Sequence, residues 1–177
     1  MKKLLTAKQI EDALDRLYES VVRALPNDAP IAIVGIRTRG ETLSGRLVQR
    51  LRTDLKGRVI NHGVLDITFY RDDLAGRQGA PLVRATEIDF NLDNAWVLLV
   101  DDVLYTGRSV RAALDALHDF GRPQAVRLAV LIDRGGRELP IAADFVGRRV
   151  NVPPGKRVQV LLKENDDEEG VTLIESD

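Results

Sequence analysis

The sequence predicts an α/β fold in which helices flank a mainly parallel central sheet, and three observations predict it. Ile31–Val34, Trp96–Val100 and Val126–Ile132 are short continuous apolar runs, the pattern of strands covered on both faces. Helical patterns of apolar residues alternate with these runs, which implies right-handed crossovers between parallel strands. Each run passes directly into a polar turn: Gly35–Gly40, Asp101–Ser109 and Asp133–Arg137. Parallel strands place those turns at one edge of the sheet, where ligands of such folds bind.

Taken in order, Thr6-Ala7-Lys8-Gln9 has the form of a capping box. Ile10, Leu14, Leu17, Val21 and Leu25 follow at helical spacing, and Pro26-Asn27-Asp28 stops that helix. A second amphipathic helix is marked by Leu43, Leu47, Val48, Leu51 and Leu55. Strand-like residues return at Val64–Tyr70. The charged stretch Arg71–Gly79 and the segments Pro81–Val83 and Glu87–Phe90 then suit a hairpin. Val110, Leu114 and Leu117 form the apolar face of a helix ended by Gly121-Arg122-Pro123, and shorter strands are expected at Ala143–Val146 and Arg157–Leu162. The acidic end, Glu164 to Asp177, has seven acids and no base and reads as a solvated end whose apolar residues could add a last strand.

Composition narrows the chemistry. With 177 residues the chain suits one domain, spanning 1–177. A net charge of -1 gives no global footprint for nucleic acid, so RNA binding would need a local basic surface; residues 122–163 carry nine Lys/Arg against three Asp/Glu. The absence of cysteine excludes disulfides and thiolate chemistry, and His62 and His118 make no zinc spacing. No apolar run suits a signal peptide or a membrane span, so a cytoplasmic location is expected. No serine or threonine has a histidine at a recognisable spacing, so no covalent nucleophile is expected.

The sharpest signal is Trp96-Val-Leu-Leu-Val-Asp101-Asp102-Val103-Leu104-Tyr105-Thr106-Gly107-Arg108-Ser109. Two carboxylates past a buried strand accept hydrogen bonds from sugar hydroxyls. A helix opening on Thr-Gly-Arg-Ser offers unpaired N–H groups and a partial positive charge to a phosphate, with the Thr106 and Ser109 hydroxyls as further donors. A ribose 5-phosphate would bridge the two. A P-loop ATPase reading needs G-x-x-x-x-G-K-[ST], which the sequence lacks, and G-x-G-x-x-G is lacking too.

Val97–Ser109 resembles the phosphoribosyl-pyrophosphate signature of the type I phosphoribosyltransferases. Its Asp-Asp-Val-Leu-Tyr-Thr-Gly-Arg form is similar to that of the bifunctional pyrimidine operon regulators with uracil phosphoribosyltransferase activity. The likeness continues through Gly35–Gly40, Asp66–Asp73, Arg111–Leu117, Gly121–Pro123, Asp133–Gly135, Arg137–Ile141 and Ala143–Gly147. It implies the type I phosphoribosyltransferase fold, with a small hood and a flexible hairpin flap. It also implies conversion of uracil and 5-phosphoribosyl-1-pyrophosphate (PRPP) into UMP and pyrophosphate, with Mg²⁺ carried by the pyrophosphate.

By the same resemblance Asp101, Asp102 and Arg39 are catalytic, and Thr38 and Arg39 hold pyrophosphate. Tyr70 and Arg71 belong to the flap, Val103 to Ser109 complete the PRPP and UMP site, and Arg134 and Val158 lie by the base. A homodimer or tetramer is implied, as is regulation through UMP or UTP and pyrimidine-operon leader RNA. The alternative implied is a UMP-dependent RNA-binding attenuation regulator with weak transferase activity.

The RNA-binding pattern, Gly-His-Arg-Glu-Leu followed by Ile-Arg-Ala-Asp, is altered here to Gly136 at its His and Ala142 at the Arg of its second segment. In the first helix a Thr-Arg pair becomes Asp15-Arg16, and a His becomes Glu19. Arg16 and Arg137 remain as RNA contacts, and weak RNA binding is expected.

Overall fold

The structure, a computed structural model, describes residues 2–72 and 85–176. Its centre is a five-stranded, all-parallel sheet of order β3-β2-β4-β5-β6, formed by Ile60–Leu65, Ile31–Ile36, Trp96–Leu104, Ala125–Asp133 and Phe145–Arg149 respectively. Every residue of β2 is buried, because helices cover both faces. Helices α1 (Ala7–Ala24) and α2 (Arg39–Asp54) pack on the face carrying Ile33, Leu98, Val100 and Leu131. Helix α3 (Arg108–Leu117) packs on the opposite face, against Val34, Val97, Leu99 and Val130. Sealing each such aliphatic side chain from water contributes about 1.5–3 kcal/mol. The two faces thus make two cores on one sheet, as the alternating pattern predicts.

A second, antiparallel sheet has the order β1-β8-β7, from Lys2–Thr6, Gly170–Glu175 and Lys156–Leu161. This is the hood. The short α4 (Lys163–Asp166) joins β7 to the middle strand β8. The acidic end is therefore not a solvated tail: β8 is largely buried, and three of the acids before it, Glu164, Asp166 and Glu169, are ion-paired to α2. The apolar alternative, a last strand, is what forms. Strand β1 escapes the sequence reading because it is a short edge strand that begins with two lysines. Its last residue, Thr6, starts α1 with the expected capping box: the Gln9 N–H donates to Thr6 Oγ1 at 3.3 Å, and the Thr6 N–H to Gln9 Oε1 at 2.9 Å.

Four boundaries differ from expectation, one being β6, which spans Phe145–Arg149 where Ala143–Val146 was expected. The strand read at Val64–Tyr70 is β3, displaced towards the N-terminus. As an edge strand of the sheet it tolerates Asn61 and His62, which break the apolar pattern. The Asp66 carboxylate then accepts the Thr68 N–H and hydroxyl at 2.8 and 2.5 Å, a turn that ends it, and a 3-10 turn spans Thr68–Tyr70. Helix α2 begins at Arg39, so the second half of the Gly35–Gly40 turn is already helical. Strand β4 runs through both acids to Leu104 instead of stopping before them, because β5 continues beside it, pairing Asp101 with Val130 and Val103 with Ile132. Of the expected hairpin, Glu87 bridges antiparallel to Val64, whereas Asp73–Gly79 and Pro81–Val83 lie outside the described residues.

Candidate functional site

Because β2, β4 and β5 are parallel neighbours, their three polar turns converge at one edge. Close packing there depends on Gly40: a Cβ on it would stand 2.4 Å from the Val100 carbonyl oxygen and 3.2 Å from the Asp101 Cα. The start of α2 therefore lies against the acid pair. The third turn closes from the other side, where the Thr106 carbonyl accepts the N–H groups of Glu138 and Leu139 at 3.0 and 3.1 Å. Gly107 precedes α3 at φ +94°, a left-handed conformation suited to glycine. The first helical bond runs from the Arg111 N–H to the Gly107 carbonyl; with the Arg108 N–H given to Thr106 Oγ1, the Ser109 and Val110 N–H groups have no partner among the described residues and are open to an anion.

Asp101 is only 8% exposed, and each acid receives a backbone donor: Asp102 N–H to Asp101 Oδ1 at 2.8 Å, and Val103 N–H to Asp102 Oδ1 at 2.9 Å. Burial pushes Asp101 well above the usual carboxylate range, and the adjoining Asp102 charge adds to it. Burial also raises Asp102. Two guanidinium charges oppose these shifts, Arg71 acting on Asp101 and Arg39 on Asp102, and neither outweighs burial. The edge thus brings together Arg39, Arg71, Asp101 and Asp102, four residues that the sequence singles out. An acid pair, Asp101 buried and Asp102 half-buried, flanked by two cations can take up sugar hydroxyls beside a polyanion.

Other expected residues are placed differently. The Tyr70 hydroxyl donates to Asp119 beyond α3. Arg108 holds Asp72 at 2.6 Å and Glu138 at 2.7 Å, so its guanidinium clamps neighbouring loops. The side chain of Leu104 is sealed in the core at 1% exposure, and Val103 packs against the other core. Thr106 Oγ1 accepts the Arg108 N–H at 3.3 Å, and Ser109 is the second residue of α3, within its first turn. Arg134 stacks on the Tyr105 ring, 3.9 Å from its centroid, and donates to the Lys156 carbonyl at 3.1 Å. That contact ties the third turn to β7, where Val158 is partly buried. Tyr105 is 46% exposed, an apolar plate beside this edge.

Sequence reasoning missed two contributors. Gly136 takes φ +73°, and a Cβ there would meet Tyr105 Cε2 at 2.5 Å, so the glycine makes room for the Tyr105–Arg134 stack. Asp133 frames the same turn, accepting the Gly135 N–H at 3.0 Å and Arg137 Nη2 at 2.7 Å. Burial opposes its ionisation, yet these donors hold its pKa below the usual range. Arg137 also donates to the Ile141, Tyr105 and Gly135 carbonyls. Arg16, by contrast, is exposed on α1 near Glu19, while Asp15 pairs with Arg50 at 2.5 Å.

One expectation on nucleophiles needs correction: Ser44 does have a histidine partner, His62 Nε2, at 2.9 Å. Ser44 Oγ also lies 2.8 Å from the Glu41 carbonyl, and where the hydroxyl gives its single proton there, the His62 Nε2–H is the donor to Ser44. The pair is structural, brought together by α2 lying over the edge strand β3.

Residues 1–156 match the family described as Phosphoribosyl transferase domain. The chain belongs to this family. It is 48% identical over 167 residues to the Bifunctional protein PyrR of Pelotomaculum thermopropionicum, covering 94% of this chain and 92% of that protein. Against the Bifunctional protein PyrR of Roseiflexus sp. the identity is 50% over 165 residues, covering 93% and 90%. These relatives place it with the PyrR proteins within the phosphoribosyltransferases. A hypoxanthine phosphoribosyltransferase from Trypanosoma cruzi, solved as a ternary substrates complex, superposes with a TM-score of 0.72 at 16% identity, covering 98% of this chain and 94% of that one. One from Staphylococcus aureus gives 0.67 at 19%, covering 96% and 89%. The shared fold is that of the type I phosphoribosyltransferases. Among the described residues no helix is long and apolar enough to cross a membrane.

Proposed function

We propose that this phosphoribosyltransferase transfers the phosphoribosyl group of PRPP to uracil, releasing pyrophosphate, and that it serves pyrimidine regulation by sensing UMP or UTP. The observation that carries the reading is the Asp101–Asp102 pair, its first member buried and its second half-buried, lying between the start of α2 and the start of α3. Asp101 and Asp102 accept the ribose hydroxyls. The first turn of α3, with Thr106 and Ser109, takes the 5-phosphate. Thr38 and Arg39 take the diphosphate, whose departure is eased by the guanidinium.

As the diphosphate leaves, positive charge develops on the sugar ring, and the nearby carboxylates stabilise it. Tyr105, backed by Arg134, offers a face against which a planar base stacks, and Val158 lies on the strand that Arg134 reaches. Among the described residues no cluster of three or more acids and histidines could cage a metal. Two adjacent carboxylates beside a diphosphate site instead suit Mg²⁺ bound mainly through substrate oxygens. When bound, the ion neutralises charge on the leaving group.

Turnover of labelled PRPP with uracil, hypoxanthine, guanine and orotate in competition tests the reading. Uracil is expected to dominate; faster use of a purine would refute the base assignment while leaving the transferase reading in place.

A further inference from the structure

The turn between β7 and β8 makes a run of contacts along α2 that the reading above does not use. Arg39, Thr42 and Arg46 share one stripe of α2, at helical spacing. Arg46 grips Glu164 at 2.5 Å and Glu169 at 2.7 Å, and the Thr42 hydroxyl donates to Asn165 Oδ1 at 2.8 Å. At the end of the stripe nearest the acid pair, Arg39 meets Asp166 side-on, with Nη2 2.6 Å from Oδ1 and Nε 3.3 Å from Oδ2. Asp166 is itself fixed, since its Oδ2 accepts the Leu162 N–H at 2.9 Å and its own N–H donates to the Leu162 carbonyl at 2.8 Å. The Asp166 side chain is 16% exposed.

A guanidinium carries five N–H donors. Asp166 occupies one on Nε and one on Nη2, and the Nη1 edge has no partner among the described residues. The Arg39 charge is felt by Asp102, so the group lies within reach of the acid pair. One edge is held by the hood and the other is open.

We propose that Asp166 is a positioning residue for Arg39, gripping its Nε edge so that its Nη1 edge meets the diphosphate of PRPP as that group leaves. The proposal rests on the assignment of the Thr38–Arg39 turn to the diphosphate. An unrestrained arginine has many rotamers, and freezing one of them on binding costs affinity. Asp166 fixes the rotamer beforehand, and a donor acts on developing charge most strongly when it need not reorganise. Were Asp166 instead a competitor for the same edge, its removal would have the opposite sign.

The test is titration calorimetry of the full chain with magnesium pyrophosphate, alongside steady-state kinetics in PRPP. Asp166→Ala is expected to weaken pyrophosphate by about tenfold, the scale of one hydrogen bond to a charged group. It should raise KM for PRPP and leave UMP affinity unchanged. Asp166→Asn, which keeps one acceptor, should fall between. In an Arg39→Ala background Asp166→Ala should have no further effect. Arg46→Gln breaks the neighbouring bridges of the same turn and should leave pyrophosphate affinity intact. Tighter pyrophosphate binding in Asp166→Ala, an equal loss in Arg46→Gln, or a loss that persists without Arg39 would each overturn the proposal. If Arg39→Ala weakens pyrophosphate and Asp166→Ala does not, the positioning role alone falls. If Arg39→Ala leaves pyrophosphate affinity unchanged, the diphosphate assignment falls and takes the proposal with it.

Discussion

In the proposed reading Asp101 and Asp102 serve the ligand at the expense of the fold. Burial raises both carboxyl groups above their values in an unfolded chain. Stability owed to their neutral forms is therefore complete below the ordinary carboxylate value of about 3.9, and it is lost as pH rises through the pair's raised values. Asp101→Asn with Asp102→Asn should remove that penalty, adding about 1–3 kcal/mol near neutral pH. At about 2–4 °C per kcal/mol for a chain of this size, thermal scans should show a higher midpoint, while calorimetry shows PRPP binding lost. A double variant that binds PRPP normally would remove the pair from the site. Gly136 makes the opposite case, a residue whose smallness is the function. Gly136→Ala places a methyl in the left-handed region and against Tyr105. Its expected cost is about 1–3 kcal/mol, with weaker base binding and unchanged pyrophosphate affinity, both measurable by calorimetry.

Among the elements, those that build the site's floor were legible because their pattern is local. The apolar runs of β2, β4 and β5 stand out for being covered on both faces, and the Thr6–Gln9 box marks the start of α1. Of the hood, β7 and the option of a last strand were legible, whereas β1 was not, since it is a short edge strand that opens on two lysines and pairs across nearly the whole chain. Nor can any local pattern say that the acids at 164, 166 and 169 face arginines of α2, more than a hundred residues earlier. The positions of Asp101 and Asp102 in the sequence were plain, whereas their place within a strand depends on β5 continuing beside them. Arg46→Ala tests the hood attachment by leaving Glu164 and Glu169 without their shared cation. It should lower stability by about 1–2 kcal/mol and speed amide hydrogen exchange in β8 relative to β4.

For the molecule as a whole, charge distribution decides which partners it can hold. Its net charge of -1 offers RNA no overall attraction. On α1, Asp15 is already paired to Arg50, and Arg16 stands near Glu19. Arg137 spends its donors on Asp133 and three carbonyls, which leaves it a structural arginine first. Filter binding at physiological salt should therefore show weak affinity for the leader RNA of its own operon, with little enhancement by UMP. Tight UMP-enhanced binding that is lost on mutating Arg16 and Arg137 would overturn that expectation. The homodimer or tetramer implied by resemblance is open to light scattering at micromolar concentration, where a monomer would count against it.

Strand β1 opens the chain, yet its partner β8 lies close to the other end, and β7 joins only through β8. During synthesis the five central strands are complete once Arg149 has emerged, while β1 must wait for residues 170–175 before it has anything to pair with. The turn that carries Asp166 emerges in the same late stretch. Pairing of such distant segments is slow to nucleate because loop closure precedes any compensating contact. The nascent protein thus has its acid pair and the start of α3 early, and acquires the carboxylate beside Arg39 later.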